Sequence, residues 1–118
     1  MNIQVKRVYD EPSRGDGERV LVDRVWPRGM RKADARLDDW LKDLAPSSGL
    51  RKWFGHQDSK WAEFKTRYFQ ELDEKSELVE DLAQRAGQRR VTLLFGARDR
   101  EHNNAVALRE YLQRGPGH

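Results

Sequence analysis

Residues 90–97, Arg-Val-Thr-Leu-Leu-Phe-Gly-Ala, constrain this chain more than any other segment. The run is short, apolar and rich in β-branched and large side chains, and it ends in Arg98-Asp99, so it predicts a strand leading into a polar turn. A second run, Val20-Leu21-Val22-Asp23-Arg24-Val25-Trp26, is almost as apolar and is broken only by two charges near its end. That pattern predicts a strand buried on both faces whose C-terminal end opens to solvent, stopped by Pro27 and Gly29. Ile3, Val5 and Val8-Tyr9 predict a first strand, closed by the turn residues from Asp10 to Gly17.

Between the last two strands the apolar period changes to that of helices. Leu37, Trp40, Leu41, Leu44 and Ala45 predict a short amphipathic helix ended by Pro46, and Leu50 to Phe54 a further turn. Asp58 or Ser59 is placed to cap a helix carrying Trp61, Phe64, Tyr68 and Leu72 on one face. Ser76 is placed to cap another, with Leu78, Val79, Leu82, Ala83 and Ala86 inward and Gly87 at its end. A final helix buries Ala105, Leu108, Tyr111 and Leu112, with Asp99 as its expected cap.

The expected fold is therefore α/β: a small, mostly parallel three-stranded sheet, about residues 2–9, 19–26 and 90–97, packed by four to five helices. One domain spans residues 1–113, a usual length for a single core, and residues 114–118 form a disordered tail. The connection from Asp10 to Glu18 is short for a parallel crossover, so an antiparallel first strand is the alternative to the parallel one expected.

Composition narrows the chemistry. There is no cysteine, which excludes thiol nucleophiles, disulfides and thiolate metal sites. No apolar run approaches the roughly 20 residues of a membrane helix, and the N-terminus has no leader pattern, so the cytosol is the expected compartment. The net charge of +3 is unevenly spread: Arg19, Arg24, Arg28, Arg31, Lys32 and Arg36 face only Asp23 and Asp34 in one stretch, whereas Glu71 to Asp81 holds six acidic residues and one lysine. A surface so divided steers anions to one side.

Ligands of parallel sheets bind beyond the strand C-termini. Two clusters fall there. Asp23, Arg24, Arg28, Arg31 and Lys32 surround the Trp26-Pro27-Arg28-Gly29 turn, where guanidinium groups grip phosphate or carboxylate. The bland alternative makes Asp23 and Arg24 members of an ion-pair network with Arg51 or Asp99. Arg98, Asp99, His102, Asn103 and Asn104 form the second cluster at a helix N-terminus, which favours an anion or a poised carboxylate. There the alternative is a plain cap with surface asparagines. Proton transfer falls to Asp23 or Asp99 with His56 or His102. Of the aromatics, Trp26 and Trp53 lie beside turns and are the rings free to stack on a ligand; Trp40 and Trp61 belong to helical core faces. His56 and His102 with Asp23 or Asp99 offer nitrogen and oxygen ligands, but no short metal-binding spacing supports a metal set, and no cofactor is singled out.

The motifs Leu21-Val22-Asp23-Arg24-Val25-Trp26-Pro27-Arg28-Gly29, Ala45-Pro46-Ser47 with Leu50-Arg51-Lys52-Trp53-Phe54-Gly55-His56, Trp61-Ala62-Glu63-Phe64, and Val91-Thr92-Leu93-Leu94 through Asp99 and Asn103 resemble the YeaO-like family of uncharacterised bacterial proteins, domain of unknown function 488. The resemblance covers nearly the whole chain and implies an α/β sheet protein, without a reaction. Longer relatives of the wider superfamily carry a Cys-His-Arg signature after the last strand, where this chain has His102-Asn103-Asn104. Gly96 stands where many similar sequences carry a larger small residue, leaving room for a close backbone approach.

The expected function is a domain that binds or acts on an anionic, phosphorylated or nucleotide-like ligand in the crevice, through Arg24, Trp26, Arg28, Lys32, Arg51, Arg98, Asn103 and Asn104. The competing readings are a nucleic-acid-binding accessory protein, which the basic stretch allows, and a metal-binding or purely structural protein. Oligomeric state is left open.

Overall fold

In the computed structural model, which describes residues 1–114, the run at 90–97 contains the central strand. Strand β4 (Val91–Phe95) lies between β1 (Ile3–Arg7) and β2 (Glu18–Leu21), and every one of its residues is buried. A fourth strand, β3 (Asp39–Trp40), extends the far side of β2, and all paired strands are parallel. The sheet thus has four strands in the order β1-β4-β2-β3, not three.

The additional strand comes from the segment expected to be a helix. Trp40 packs with Val8, Leu21, Ala35 and Leu94 on one face of the sheet, while Leu41 packs against the larger core on the other. Successive side chains on opposite faces are the signature of a strand, and the Leu41 amide donates to the Leu21 carbonyl at 2.9 Å. Lys42–Leu44 then form a 3-10 turn. Spacing of 3 and 4 among apolar residues mimicked a helix because the chain turns sharply after two strand residues.

The first strand is parallel despite its short connection. It does not neighbour β2 but flanks the opposite side of β4, so the segment from Val8 to Gly17 returns across that one strand, with a 3-10 turn at Arg14–Asp16. Gly17 makes the close approach, at φ +64°: a Cβ there would lie 2.3 Å from the Arg90 carbonyl oxygen.

Among the described residues five helices cover the sheet: α1 (Lys32–Ala35), α2 (Ser48–Phe54), α3 (Trp61–Asp73), α4 (Ser76–Gln88) and α5 (Asn104–Gln113). The segment expected as a turn near residue 50 is a true helix, capped by Ser47, whose hydroxyl accepts from the Leu50 amide. Phe64, Tyr68 and Leu72 of α3 are core, as their spacing predicts. Tyr68 also donates to the Leu44 carbonyl at 2.6 Å, so its buried hydroxyl is satisfied. The helix boundaries differ from expectation in three places. Asp58 and Ser59 lie in a 3-10 turn ahead of α3, α4 begins at Ser76 with Lys75 as its cap position and runs through Gly87, and α5 is capped by Asn103 rather than Asp99. The strand around 20–26 ends at Leu21; beyond it the chain leaves the sheet and Val25 is exposed. The expected tail at 114–118 falls almost entirely outside the described residues. No helix among the described residues is long and apolar enough to cross a membrane.

Candidate functional site

The polar residues gather where β2 and β4 end. Past Leu21 the chain delivers Asp23 next to the end of β4, and its Oδ2 accepts the Gly96 amide at 2.8 Å. From the start of α5, the Asn104 amide group donates both to Asp23 Oδ1 at 3.1 Å and to the Val22 carbonyl at 2.7 Å. The Trp40 indole donates to the Asp23 carbonyl at 2.6 Å. Asp23 is therefore tied to three elements, and among the described residues no cation pairs with it within 4 Å. Burial pushes its carboxyl above the ordinary range; the hydrogen bonds from Asn104 and Gly96 and the charges of Arg51 and His56 only partly oppose this.

Gly96 is the reason Asp23 fits. A Cβ at this position would lie 3.1 Å from Asp23 Oδ2 and 3.8 Å from the Pro27 ring, so the residue expected to allow a close approach does so against a side chain. Arg7, at the end of β1, clamps the same turn by donating to the Gly96 and Ala97 carbonyls at 3.0 and 2.8 Å. Sequence reasoning did not single out Arg7; its only signal is a basic residue at the end of an otherwise apolar strand.

A pocket of about 470 Å³ opens at this turn, lined by His56, Gly96, Ala97, Arg98 and Asp99. His56 follows Gly55, and both have left-handed backbones, at φ +57° and +53°, which turns the chain from α2 back over the end of β4. On the far wall Asp99 accepts the amides of Glu101 and His102 at 2.9 and 3.0 Å, and these bonds hold its carboxyl below the ordinary range. Asn103 closes the turn by donating to the Asp99 carbonyl and accepting the Val106 amide. Asp99 thus caps the turn before α5 and Asn103 caps the helix itself.

The expected anion-gripping cluster does not converge as a whole. The Arg24 guanidinium donates to the carbonyls of Ala45 and Pro46, and Trp26 donates to the Met30 carbonyl and packs edge-on against Trp40. Both spend these donors on backbone carbonyls. Arg28 and Lys32 are exposed, on the turn after Trp26 and on α1. Trp53 is half-buried, with Lys60 and Arg67 over its ring. What the fold does bring to the pocket is His56, Arg98 and Asp99 directly, with Asp23 behind Gly96 and Arg51 near enough to influence Asp23. The Arg51 and Arg98 side chains have no hydrogen-bonded partner among the described residues, unlike Arg7, Arg19, Arg24, Arg85, Arg90 and Arg100.

His102 belongs to a second group. Its Nδ1 is 2.9 Å from Asp58 Oδ1, its ring stacks on Trp61 at 4.8 Å and 19°, and ligand atoms of Asp58, Asp99 and His102 lie within 4.8 Å of one another. These are the residues best placed to hold a metal. Sequence reasoning named Asp99 and His102 but saw Asp58 only as a cap.

The chain matches the family model described as "Inactive DUF488-N3 subclade" over residues 2–115. It is 42% identical to the uncharacterized protein YeaO of Escherichia coli (strain K12) over 113 residues, covering 96% of this chain and 98% of that protein. It is also 42% identical, over 110 residues, to uncharacterized proteins of Mycobacterium bovis and Mycobacterium tuberculosis, covering 93% of this chain and 92% of theirs. No solved structure matches it significantly. A match of this extent makes the chain a member of the uncharacterised YeaO-like, DUF488 family.

Proposed function

We propose that this protein is a binding domain for a small anionic ligand, of phosphate or nucleotide character, held in the pocket at the end of β4. The observation that carries this reading is the sorting of the arginines. Arg7, Arg24 and Arg100 are fixed by carbonyl or carboxylate partners, whereas among the described residues Arg98 on the pocket wall and Arg51, close enough to act on Asp23, have no hydrogen-bonded partner for their guanidinium groups. A planar group with several free donors is suited to phosphate or carboxylate oxygens. His56 adds a ring nitrogen on the wall as a further hydrogen-bonding group. Binding is favoured over catalysis because Asp23, the buried carboxylate expected as a general base, has both oxygens occupied by Gly96 and Asn104 and stands behind the pocket wall rather than on it. The family description as inactive agrees.

Calorimetric titration with inorganic phosphate and with AMP tests this reading. Saturable binding that falls at least tenfold in Arg51→Ala/Arg98→Ala, with the fold retained by circular dichroism, is expected. Heatless titrations with both probes, or binding unchanged in the double variant, would overturn it. A steep loss of affinity for mixed-sequence DNA or RNA between about 50 and 200 mM salt, with no small-anion binding, would favour a nucleic-acid partner instead.

A further inference from the structure

The group next to the pocket carries chemistry that anion binding does not explain. Asp58 comes from the 3-10 turn ahead of α3, Asp99 from the turn after β4, and His102 from the approach to α5, so three separate elements bring one oxygen, one oxygen and one nitrogen together. His102 is not free to wander: its ring is stacked on Trp61, which presents Nδ1 to Asp58. Asp99 is likewise fixed by the amides of Glu101 and His102. All three groups border solvent, and the Asp58 side chain is 71% exposed, so a hydrated ion has access without a buried path.

We propose that Asp58, Asp99 and His102 form a divalent-cation site with open positions for water or ligand oxygen. Zinc binds imidazole nitrogen and carboxylate oxygen at about 2.0–2.2 Å, which places neighbouring ligand atoms about 2.8–3.6 Å apart for angles between 90° and 109°. The Asp58 to His102 separation of 2.9 Å already falls within that spacing. The widest separation, within 4.8 Å, closes by rotation of an exposed carboxylate. Two oxygens and one imidazole, with no thiolate, suit zinc or manganese rather than copper(I). Three protein ligands leave the site unsaturated. The contrast with α4 is instructive: Glu77, Glu80 and Asp81 are also acidic and exposed but bring no nitrogen ligand.

Asp99 is shared between this group and the pocket wall. If the anion reading holds, a cation here offsets the carboxylate charge that an incoming phosphate meets, and each ligand strengthens the other's binding by the same factor. The cation site itself does not depend on that reading.

The test uses the purified full chain titrated with zinc chloride by calorimetry and with Mn2+ by electron paramagnetic resonance. One equivalent is expected to bind, with affinity at least tenfold weaker in Asp58→Asn and in His102→Gln and unchanged in Glu80→Gln/Asp81→Asn. The wild type supplies a second readout that does not depend on the folding of any variant. Mn2+ should broaden the amide resonances of residues 58, 99 and 102 first, and should quench a tryptophan emission that Trp61→Phe removes. Absence of zinc and manganese binding up to 1 mM, broadening centred elsewhere, or unchanged affinity in both ligand variants overturns the site. Zinc binding without any phosphate binding would sink the anion reading and leave the cation site standing.

Discussion

Two aspartates bracket strand β2, and the fold treats them in opposite ways. Asp16, just before the strand, is buried and encircled: Arg19 Nη1 lies 2.6 Å from one oxygen, Lys6 Nζ 3.1 Å from the other, and Ser13 donates through both its amide and its hydroxyl. Burial alone would raise its carboxyl, but the donors of Ser13, Lys6 and Arg19 outweigh that and hold it at about 2. Asp23, just after the strand, receives two neutral donors and no close cation, and its carboxyl is raised. The same residue type therefore closes the N-terminal end of the sheet as a saturated network and leaves the C-terminal end electrostatically unsettled. Perturbed, incompletely paired groups of the second kind collect at functional sites.

The largest effect should follow from breaking the saturated end. Asp16→Asn leaves the Arg19 guanidinium, 5% exposed, without its carboxylate, and removal of one partner of such a buried pair costs about 3–5 kcal/mol. Urea unfolding of the variant would measure this; a loss below 1 kcal/mol would mean that the Ala35 and Arg36 carbonyls suffice for Arg19.

The pH response separates the two aspartates next. Asp16 has a folded-state pKa below its unfolded value near 3.8, so its contribution is fully present above pH 4 and is lost as pH falls toward 2, on the order of 2 kcal/mol. Asp23 has the opposite sign: its raised folded-state pKa means that ionisation opposes folding, and acidification through that pKa relieves the cost. Stability measured from pH 7 to 2 should first be supported by protonation of Asp23 and then fall with Asp16. Asp16→Asn should flatten the lower limb, and an unchanged limb would assign acid unfolding to other carboxylates.

At the unsettled end, Gly96→Ala should cost about 1–2 kcal/mol, since the new methyl carbon meets Asp23 Oδ2 at 3.1 Å and something must give. A neutral result would show that Asp23 moves freely, against its position as a tether. The smallest stability change belongs to Arg51→Ala/Arg98→Ala, within about 0.5 kcal/mol because neither side chain has a protein partner among the described residues. Its effect is expected on phosphate affinity instead, and a large loss of stability would recast both arginines as structural.

The strand at 91–95 was legible because five consecutive residues are buried on both faces, and a continuous apolar run says so directly. The core faces of α3 and α5 were legible for the related reason that burial repeats with the helical period. The segment at 37–45 was not, because two strand residues followed by a 3-10 turn give nearly the apolar spacing of a helix. Of the residues gathered at the end of β4, Asp23, His56, Arg98 and Asp99 were singled out from their positions beside strand ends and turns. Arg24 and Trp26 carried the same local signal, yet their donors go to carbonyls of residues that only folding brings near, at Ala45, Pro46 and Met30.

By itself, the sequence determined the elements whose burial is periodic or continuous, the absence of thiol chemistry, and the placing of polar residues at the ends of β2 and β4. Tertiary structure alone decided which charges would be neutralised. Pairing depends on distances between segments far apart in the chain, as between Asp58 and His102 or Asp23 and Gly96, and no local pattern encodes those distances.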